Sequence, residues 1–166
     1  MKPIDALFAS LAAFAVAALT TPVAAKLAVR IGAIDRPRAR GLSQRPTPLL
    51  GGLAILLAVV ASSLIWLPWD AETRAILAAA ILIATIGAVD DTVELHAGWK
   101  LSGQLAAAII PVAAGVEVTN VTLPFVGAVD FGWTAAPLTV LGLVALMNVV
   151  NFSDGVDGLA AGVCAI

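Results

Sequence analysis

The sequence predicts an all-α polytopic membrane protein, a bundle of about five transmembrane helices followed by the start of a sixth. Of its 166 residues, 61% are hydrophobic and only 12% are charged, against roughly 25% charged in soluble domains. Several uncharged runs approach the ~20 residues that cross a bilayer. The net charge of −2 argues against a nucleic-acid partner, because binding to phosphate backbones needs a concentrated basic surface.

Each predicted helix is an apolar run bounded by polar or charged residues. The runs place helices near residues 6–25, 49–69, 73–89, 101–116 and 134–150. The first run is longer than the apolar core of a signal peptide and further spans follow it, so we interpret it as the first membrane helix.

Two shorter segments complete the predicted architecture. A sixth apolar segment begins at Gly158 and stops at Ile166, too soon to cross a bilayer. We therefore expect a single membrane domain over residues 1–166 that is truncated at its C-terminus. Residues 116–123 alternate apolar and polar side chains and are followed by Pro124 and Gly127, which predicts a small outward-facing hairpin near 117–131.

Basic residues give the predicted orientation. The loop over residues 26–45 holds six of them against one acid, Asp35, and should be cytoplasmic by the positive-inside rule. Alternation across the spans then puts residues 90–100 and 148–158 on the cytoplasmic side as well. The polar groups of the chain are therefore predicted to gather at one face of the membrane.

The first polar group follows the basic loop. It runs Arg45-Pro46-Thr47-Pro48-Leu49-Leu50-Gly51-Gly52. Two prolines favour an extended backbone, and two glycines allow a neighbour or ligand to approach closely. The alternative is a rigid loop that leads into helix two.

The second polar group is Asp90-Asp91 at the end of helix three, followed by Glu94, His96 and Lys100. Adjacent carboxylates near an apolar boundary repel each other unless a proton or a cation, such as a divalent metal, offsets their charge. The alternative is that both carboxylates cap the helix in headgroup water, although acids are unfavourable at a helix C-terminus. His96 is better described as a solvated loop histidine.

The third polar group repeats amides and acids every third residue, at Asn148, Asn151, Asp154 and Asp157. This spacing sets neighbouring members on one helical face, and Gly155 and Gly158 allow the chain to turn and restart. A broken helix of this kind can present oxygens and free backbone N–H groups to a metal-bound phosphate. The alternative is a purely structural polar junction.

Together the three groups supply hard oxygen ligands with Arg45 and Lys100 as cations. They suit Mg²⁺-assisted phosphoryl chemistry, and the membrane setting suggests a lipid substrate. A small ion-coupled transporter is the competing interpretation, but it would need polar groups near the middle of the bilayer. A non-catalytic membrane scaffold is a third.

The motifs resemble those of the polyprenyl-phosphate N-acetylhexosamine-1-phosphate transferases, glycosyltransferase family 4, over about residues 30–166. Asp90-Asp91 with Leu95, Lys100, Leu101 and Gln104 resembles the family's Asp-Asp motif and its downstream residues. Asn148 to Leu159 resembles its Asn-rich DGxDGL motif, and Asp35-Arg36-Pro37 with residues 45–52 is similar to its first cytoplasmic loop. Ser43 stands where the family commonly has a histidine.

The resemblance implies transfer of N-acetylhexosamine 1-phosphate from a UDP-sugar to undecaprenyl phosphate, with release of UMP, at the cytoplasmic face of a bacterial inner membrane. This step would initiate cell-envelope glycan synthesis with Mg²⁺, or Mn²⁺, as cofactor. A homodimer stays open. The implied residues are Asp90, Asp91, Asp154 and Asp157 for catalysis, Asp91, Asn151 and Asp154 for the metal, and Arg45, Thr47, Gly51, Gly52, Lys100 and Asn148 for substrate.

The family's later motifs would lie beyond Ile166. We therefore expect the 166-residue chain to be inactive alone.

Overall fold

The structure is a computed structural model that describes residues 2–35, 46–93, 95–125 and 127–153. Five α-helices account for most of these residues, which confirms the predicted all-α bundle. They are α1 (Pro3–Ile31), α2 (Gly51–Trp66), α3 (Ala71–Val93), α4 (Ala97–Ala113) and α5 (Ala135–Ser153). Four short strands lie between them: β1 (Ile34–Asp35), β2 (Thr47–Pro48), β3 (Asn120–Leu123) and β4 (Gly127–Asp130).

Helix length divides the bundle into two classes. Among the described residues three segments are long and apolar enough to cross a membrane: Pro3–Ile31, Ala71–Val93 and Gly132–Phe152. In contrast, α2 has 16 residues and α4 has 17, so they extend about 24 and 26 Å along a ~30 Å hydrocarbon core. The predicted helix two over 49–69 is too long at both ends. Its flanks at Pro48 and Pro68 are extended or irregular instead, because proline lacks the N–H that a helix interior needs.

The first helix continues well past its predicted end at residue 25. It carries exposed Lys26 and Arg30 in its last turns and stops at Gly32, whose φ of 82° and N–H bond to the Ala28 carbonyl form a left-handed C-cap. The uncharged run therefore ends before the helix does, and glycine marks the end of the helix.

Side-chain caps set two of the other boundaries. The Thr73 N–H donates to Asp70 Oδ1 at 2.8 Å, and α3 begins at once after Asp70. The imidazole Nδ1 of His96 accepts from the Gly98 N–H at 3.1 Å and caps α4. His96 is exposed, in agreement with its description as a solvated loop residue.

Neighbouring helices in sequence are neighbours in space, and their contacts use small side chains. Buried Ala28, Ala33 and Leu50 form a cluster against which Leu53 and Ala88 pack. This cluster joins the end of α1, the start of α2 and the last turns of α3. Alanine at such contacts lets helix backbones approach closely, as is common within membranes.

Two strand pairs close the ends of the bundle. The pair β1–β2, with Ile34 opposite Pro48, was not predicted. The pair β3–β4 joins Asn120 to Asp130 in antiparallel register and confirms the predicted hairpin. Its entrance is held to α5 by a 2.9 Å bond from the Val118 N–H to the buried Thr139 hydroxyl.

Candidate functional site

The acidic motif lies where α3 turns into α4, at the same end of the bundle as the end of α1 and the start of α2. Asp90 accepts two hydrogen bonds there. Its Oδ2 receives the Lys100 ammonium at 2.8 Å and its Oδ1 receives the Leu95 N–H at 2.9 Å. Both side chains are partly buried, with Asp90 21% and Lys100 28% exposed. The ion pair therefore joins the last turn of α3 to the first turn of α4.

The ion pair neutralises part of the negative charge of the acidic motif. From the sequence, the adjacent carboxylates were expected to need a proton or a cation to offset their charge, and Lys100 supplies one positive charge against Asp90. Because a lysine ammonium has three donors, Lys100 can hold Asp90 and still contact a phosphate. Asp91, which follows Asp90 in the chain, is partly buried at the same turn.

A second polar contact links α4 to α5. The Asn148 amide Nδ2 donates to Gln104 Oε1 at 2.9 Å and to the Val144 carbonyl at 2.8 Å. Gln104 is only 4% exposed. Both N–H bonds of the Asn148 amide are thus used within the protein, so its described contacts fix α5 against α4.

The Gln104–Asn148 contact also sets the position of the α5 motif relative to Lys100 of α4. Gln104 lies one helical turn after Lys100, and exposed Asn151 lies about one turn after Asn148, so each pair shares a helix face. The C-terminal part of α5 therefore lies at the end of the bundle that carries the Asp90–Lys100 pair. No role was predicted for Gln104 from the sequence, although a polar residue inside an apolar helix often indicates a contact with another helix or a functional site.

The proline and glycine motif reaches the same end of the bundle. Thr47 is exposed in β2, and Gly51 and Gly52 are exposed in the first turn of α2. A Cβ built on either glycine would meet no atom within 4 Å. Contacts with the described residues therefore do not require glycine at these two positions.

Several predicted site residues lie outside the described residues. They are Arg45, Glu94, Asp154, Gly155, Asp157 and Gly158. The structure therefore brings Asp90, Lys100 and Asn148 to one end of the bundle, with Asp91, Asn151, Thr47 and the two glycines at that end.

The donor chemistry at this end fits a hard cation, but the described donors do not complete a site. The Asp91 carboxylate and the Asn151 amide offer the oxygen ligands that Mg²⁺ prefers. Over residues 2–35, 46–93, 95–125 and 127–153, no group of three or more His, Cys, Asp or Glu could hold a metal ion. A site built on Asp91 and Asn151 would need a further donor, and Asp154 is the nearest acid in the sequence after Asn151.

Both motifs of the candidate site fall within the match to a known protein family. The sequence model of glycosyl transferase family 4 matches residues 73–166, which include both the Asp90 and the Asn148 motifs. The chain belongs to glycosyl transferase family 4. The resemblance inferred from the motifs is thereby confirmed.

Curated relatives in this family carry related names. The chain is 39% identical to a probable undecaprenyl-phosphate N-acetylglucosaminyl 1-phosphate transferase of Bacillus subtilis, over 93% of this chain and 45% of the relative. It is 38% identical to a decaprenyl-phosphate N-acetylglucosaminephosphotransferase of Mycolicibacterium smegmatis, over 82% of this chain and 36% of the relative. A phospho-N-acetylmuramoyl-pentapeptide-transferase of Chlorobium phaeobacteroides is 32% identical, over 80% and 41%.

The chain spans less than half the length of these relatives. No solved structure matches it.

Proposed function

We propose that the protein containing this chain transfers N-acetylhexosamine 1-phosphate from a UDP-sugar to a polyprenyl phosphate of the undecaprenyl type. The observation that carries the proposal is the partly buried Asp90–Lys100 pair, with Lys100 one turn from the part-buried Gln104–Asn148 contact. An ion pair and a run of amides from three helices at one end of a membrane bundle suit a phosphate that arrives on a lipid. The names of the curated relatives support the same substrate class.

The proposed reaction exchanges one phosphoanhydride for another. An oxygen of the lipid phosphate attacks the sugar-linked phosphorus of the UDP-sugar and forms a new P–O bond. The bond between that phosphorus and the bridging oxygen breaks, and UMP leaves with the electron pair. If the attacking phosphate carries a proton, a carboxylate of the acidic motif accepts it. The product is a lipid diphosphate that bears the sugar.

The described residues have separable roles in this reaction. Lys100, held in place by Asp90, contacts a phosphate oxygen and offsets its negative charge. Asp91 accepts the proton or binds the cation. The Gln104–Asn148 contact sets the depth and rotation of α5, and with them the position of Asn151 near the phosphates.

Mg²⁺ is the cofactor that we propose, with Asp91, Asn151 and Asp154 as its ligands. When bound, it supplies positive charge to the diphosphate of the UDP-sugar. We propose the cytoplasmic face of the inner membrane as the location of the reaction. Lys26 and Arg30 lie in the last turns of α1, at the end of the bundle that carries the described polar groups, and basic residues favour the cytoplasmic side.

An ion-coupled transporter is the less favoured function. Coupling-ion sites of transporters lie near the middle of the bilayer. In the described part of the chain, the charged residues of the helices are confined to the first or last two turns. Gln104, one turn further along α4 than Lys100, and Asn148 are already bonded to each other.

The test is the formation of lipid-linked sugar by the complete gene product in membranes supplied with UDP-N-acetylhexosamine and undecaprenyl phosphate. Asp90→Asn and Asp154→Asn should each lower the rate about 100-fold or more, the scale of losing one charge-stabilising group. Asp130→Asn makes the same change in the hairpin at the opposite end and should retain the rate. If Asp90→Asn inserts normally and keeps full activity, the proposed site is wrong.

A further inference from the structure

An open groove of about 370 Å³ lies beside the last turns of α1, and its lining includes no residue of the acidic motif. Its lining consists of Ala25, Lys26, Val29, Arg30 and Pro48. The wall from β2 is held in place because Pro48 pairs with Ile34, directly after the end of α1. None of these five residues belongs to the catalytic, metal or substrate sets of the proposed function.

The two cations of the groove are exposed and have no acidic partner within the part of the chain that the structure describes. Lys26 and Arg30 are four residues apart on α1 and share one helix face. Neither forms an ion pair with any described residue. In sequence, residues 31–45 add four arginines against one acid, Asp35. Because like charges at this spacing repel, an anion held between Lys26 and Arg30 would stabilise the helix end.

The rest of the groove is apolar. Ala25, Val29 and Pro48 contribute hydrocarbon, and Val29 is 58% exposed. A free phosphate would use only the two cations and leave this hydrocarbon in contact with water. A lipid that carries a phosphate would use both parts, since its acyl chain can cover the apolar wall.

The length of α1 sets the depth of the groove. The helix has 29 residues and extends about 43 Å, so it exceeds a ~30 Å hydrocarbon core by several turns. A helix that begins at the opposite surface near Pro3 leaves the core about three residues before Lys26. Lys26 and Arg30 therefore reach the headgroup region while Ala25 lies at its boundary with the acyl chains.

We propose that this groove binds the headgroup end of an anionic membrane lipid, with Lys26 and Arg30 on the phosphate, Val29 and Pro48 against the glycerol backbone and Ala25 at the start of an acyl chain. The site anchors the end of α1 and the β1–β2 pair at the lipid surface. This inference does not depend on the transferase reaction, because none of its residues takes part in that reaction.

The experiment measures binding of dioleoyl phosphatidic acid to the complete gene product in an uncharged detergent by native mass spectrometry. Dioleoyl phosphatidylcholine and inorganic phosphate serve as comparison ligands. Since each basic residue near an anionic lipid surface strengthens binding about fivefold, Lys26→Gln/Arg30→Gln should weaken binding of phosphatidic acid about 25-fold. Lys2→Gln/Arg74→Gln removes the same charge at the other end of the bundle and should change binding less than about twofold.

Three results would overturn the proposal. One is equal binding of phosphatidic acid by the Lys26→Gln/Arg30→Gln protein and the wild type. Another is displacement of the lipid by an equal concentration of inorganic phosphate, which would show that the acyl chain contributes nothing. The third is wild-type binding that does not weaken between about 0.1 M and 1 M salt, a result that remains informative if the double variant fails to fold.

Discussion

The hydrogen bond between Gln104 and Asn148 should contribute measurably to the stability of the bundle. Gln104→Leu removes the oxygen that accepts the Asn148 amide at 2.9 Å, while the second N–H of that amide keeps its bond to the Val144 carbonyl. Hydrogen bonds between membrane helices contribute about 0.6 kcal/mol on average and up to about 1.7 kcal/mol. Gln104 is 4% exposed, so water cannot replace the lost partner, and we expect a value near 1 kcal/mol.

A double-mutant cycle isolates this contribution. The free energy of unfolding is measured for the chain in mixed micelles with a rising fraction of dodecyl sulfate, followed by far-ultraviolet circular dichroism. Gln104→Leu and Asn148→Leu should each destabilise the chain by about 1 kcal/mol or more. The double variant should cost about 1 kcal/mol less than the sum of the two, because each single change leaves the other amide without its partner.

Ser102 provides the matched control on the same helix. Its exposed hydroxyl bonds only to the Trp99 carbonyl among the described residues, so Ser102→Ala and Asn148→Leu should be additive. If the Gln104 and Asn148 effects also add within about 0.5 kcal/mol, the scatter of independent sites, the contact does not join α4 to α5.

Three further predictions concern other contacts. A Cβ at Gly103 would overlap the Ile86 side chain of α3, so Gly103→Val should destabilise the chain by about 1–3 kcal/mol in the same unfolding assay, and Ile86→Ala should restore part of the loss. The hydrogen bond from the Thr73 N–H lowers the pKa of the Asp70 carboxyl. The stability that Asp70 adds over Asp70→Ala should therefore be complete above about pH 4 and fall as the pH drops through the lowered pKa. Melting curves of both proteins across that pH range measure the difference. Thr139→Val removes the hydroxyl that accepts a hairpin N–H and should speed hydrogen exchange in the hairpin without shortening α5.

The helix interiors were predictable from the sequence, but the helix ends were not. Uncharged runs located all five helices because exclusion of charge from hydrocarbon acts on each residue separately. The end of α1 instead depends on Gly32 and its left-handed cap. The helix continues through Lys26 and Arg30 before it reaches Gly32, because their long side chains can extend toward the headgroups. The caps at Asp70 and His96 likewise depend on single side-chain bonds.

The residues of the candidate site could be selected from the sequence, whereas their partners could not. Asp90 and Lys100 were both identified, but the neutralising charge was left to a proton or to a cation such as a divalent metal, and Lys100 was not paired with Asp90. The 2.8 Å ion pair exists because α3 and α4 are antiparallel and the turn between them is short. Gln104 and Asn148 are 44 residues apart, and only the packing of α4 against α5 brings them together.

The two polar contacts differ in charge in a way that matches their depth. A charged pair inside the bundle would lose hydration that its mutual attraction does not fully restore, and Asp90 and Lys100 keep 21% and 28% of their side-chain surface exposed. One turn deeper, where Gln104 is buried, the contact is between two neutral amides, which can bond to each other without a charge to desolvate. The amide contact can therefore fix α5 within the apolar part of the bundle, while the charged groups that a phosphate would meet remain at its surface.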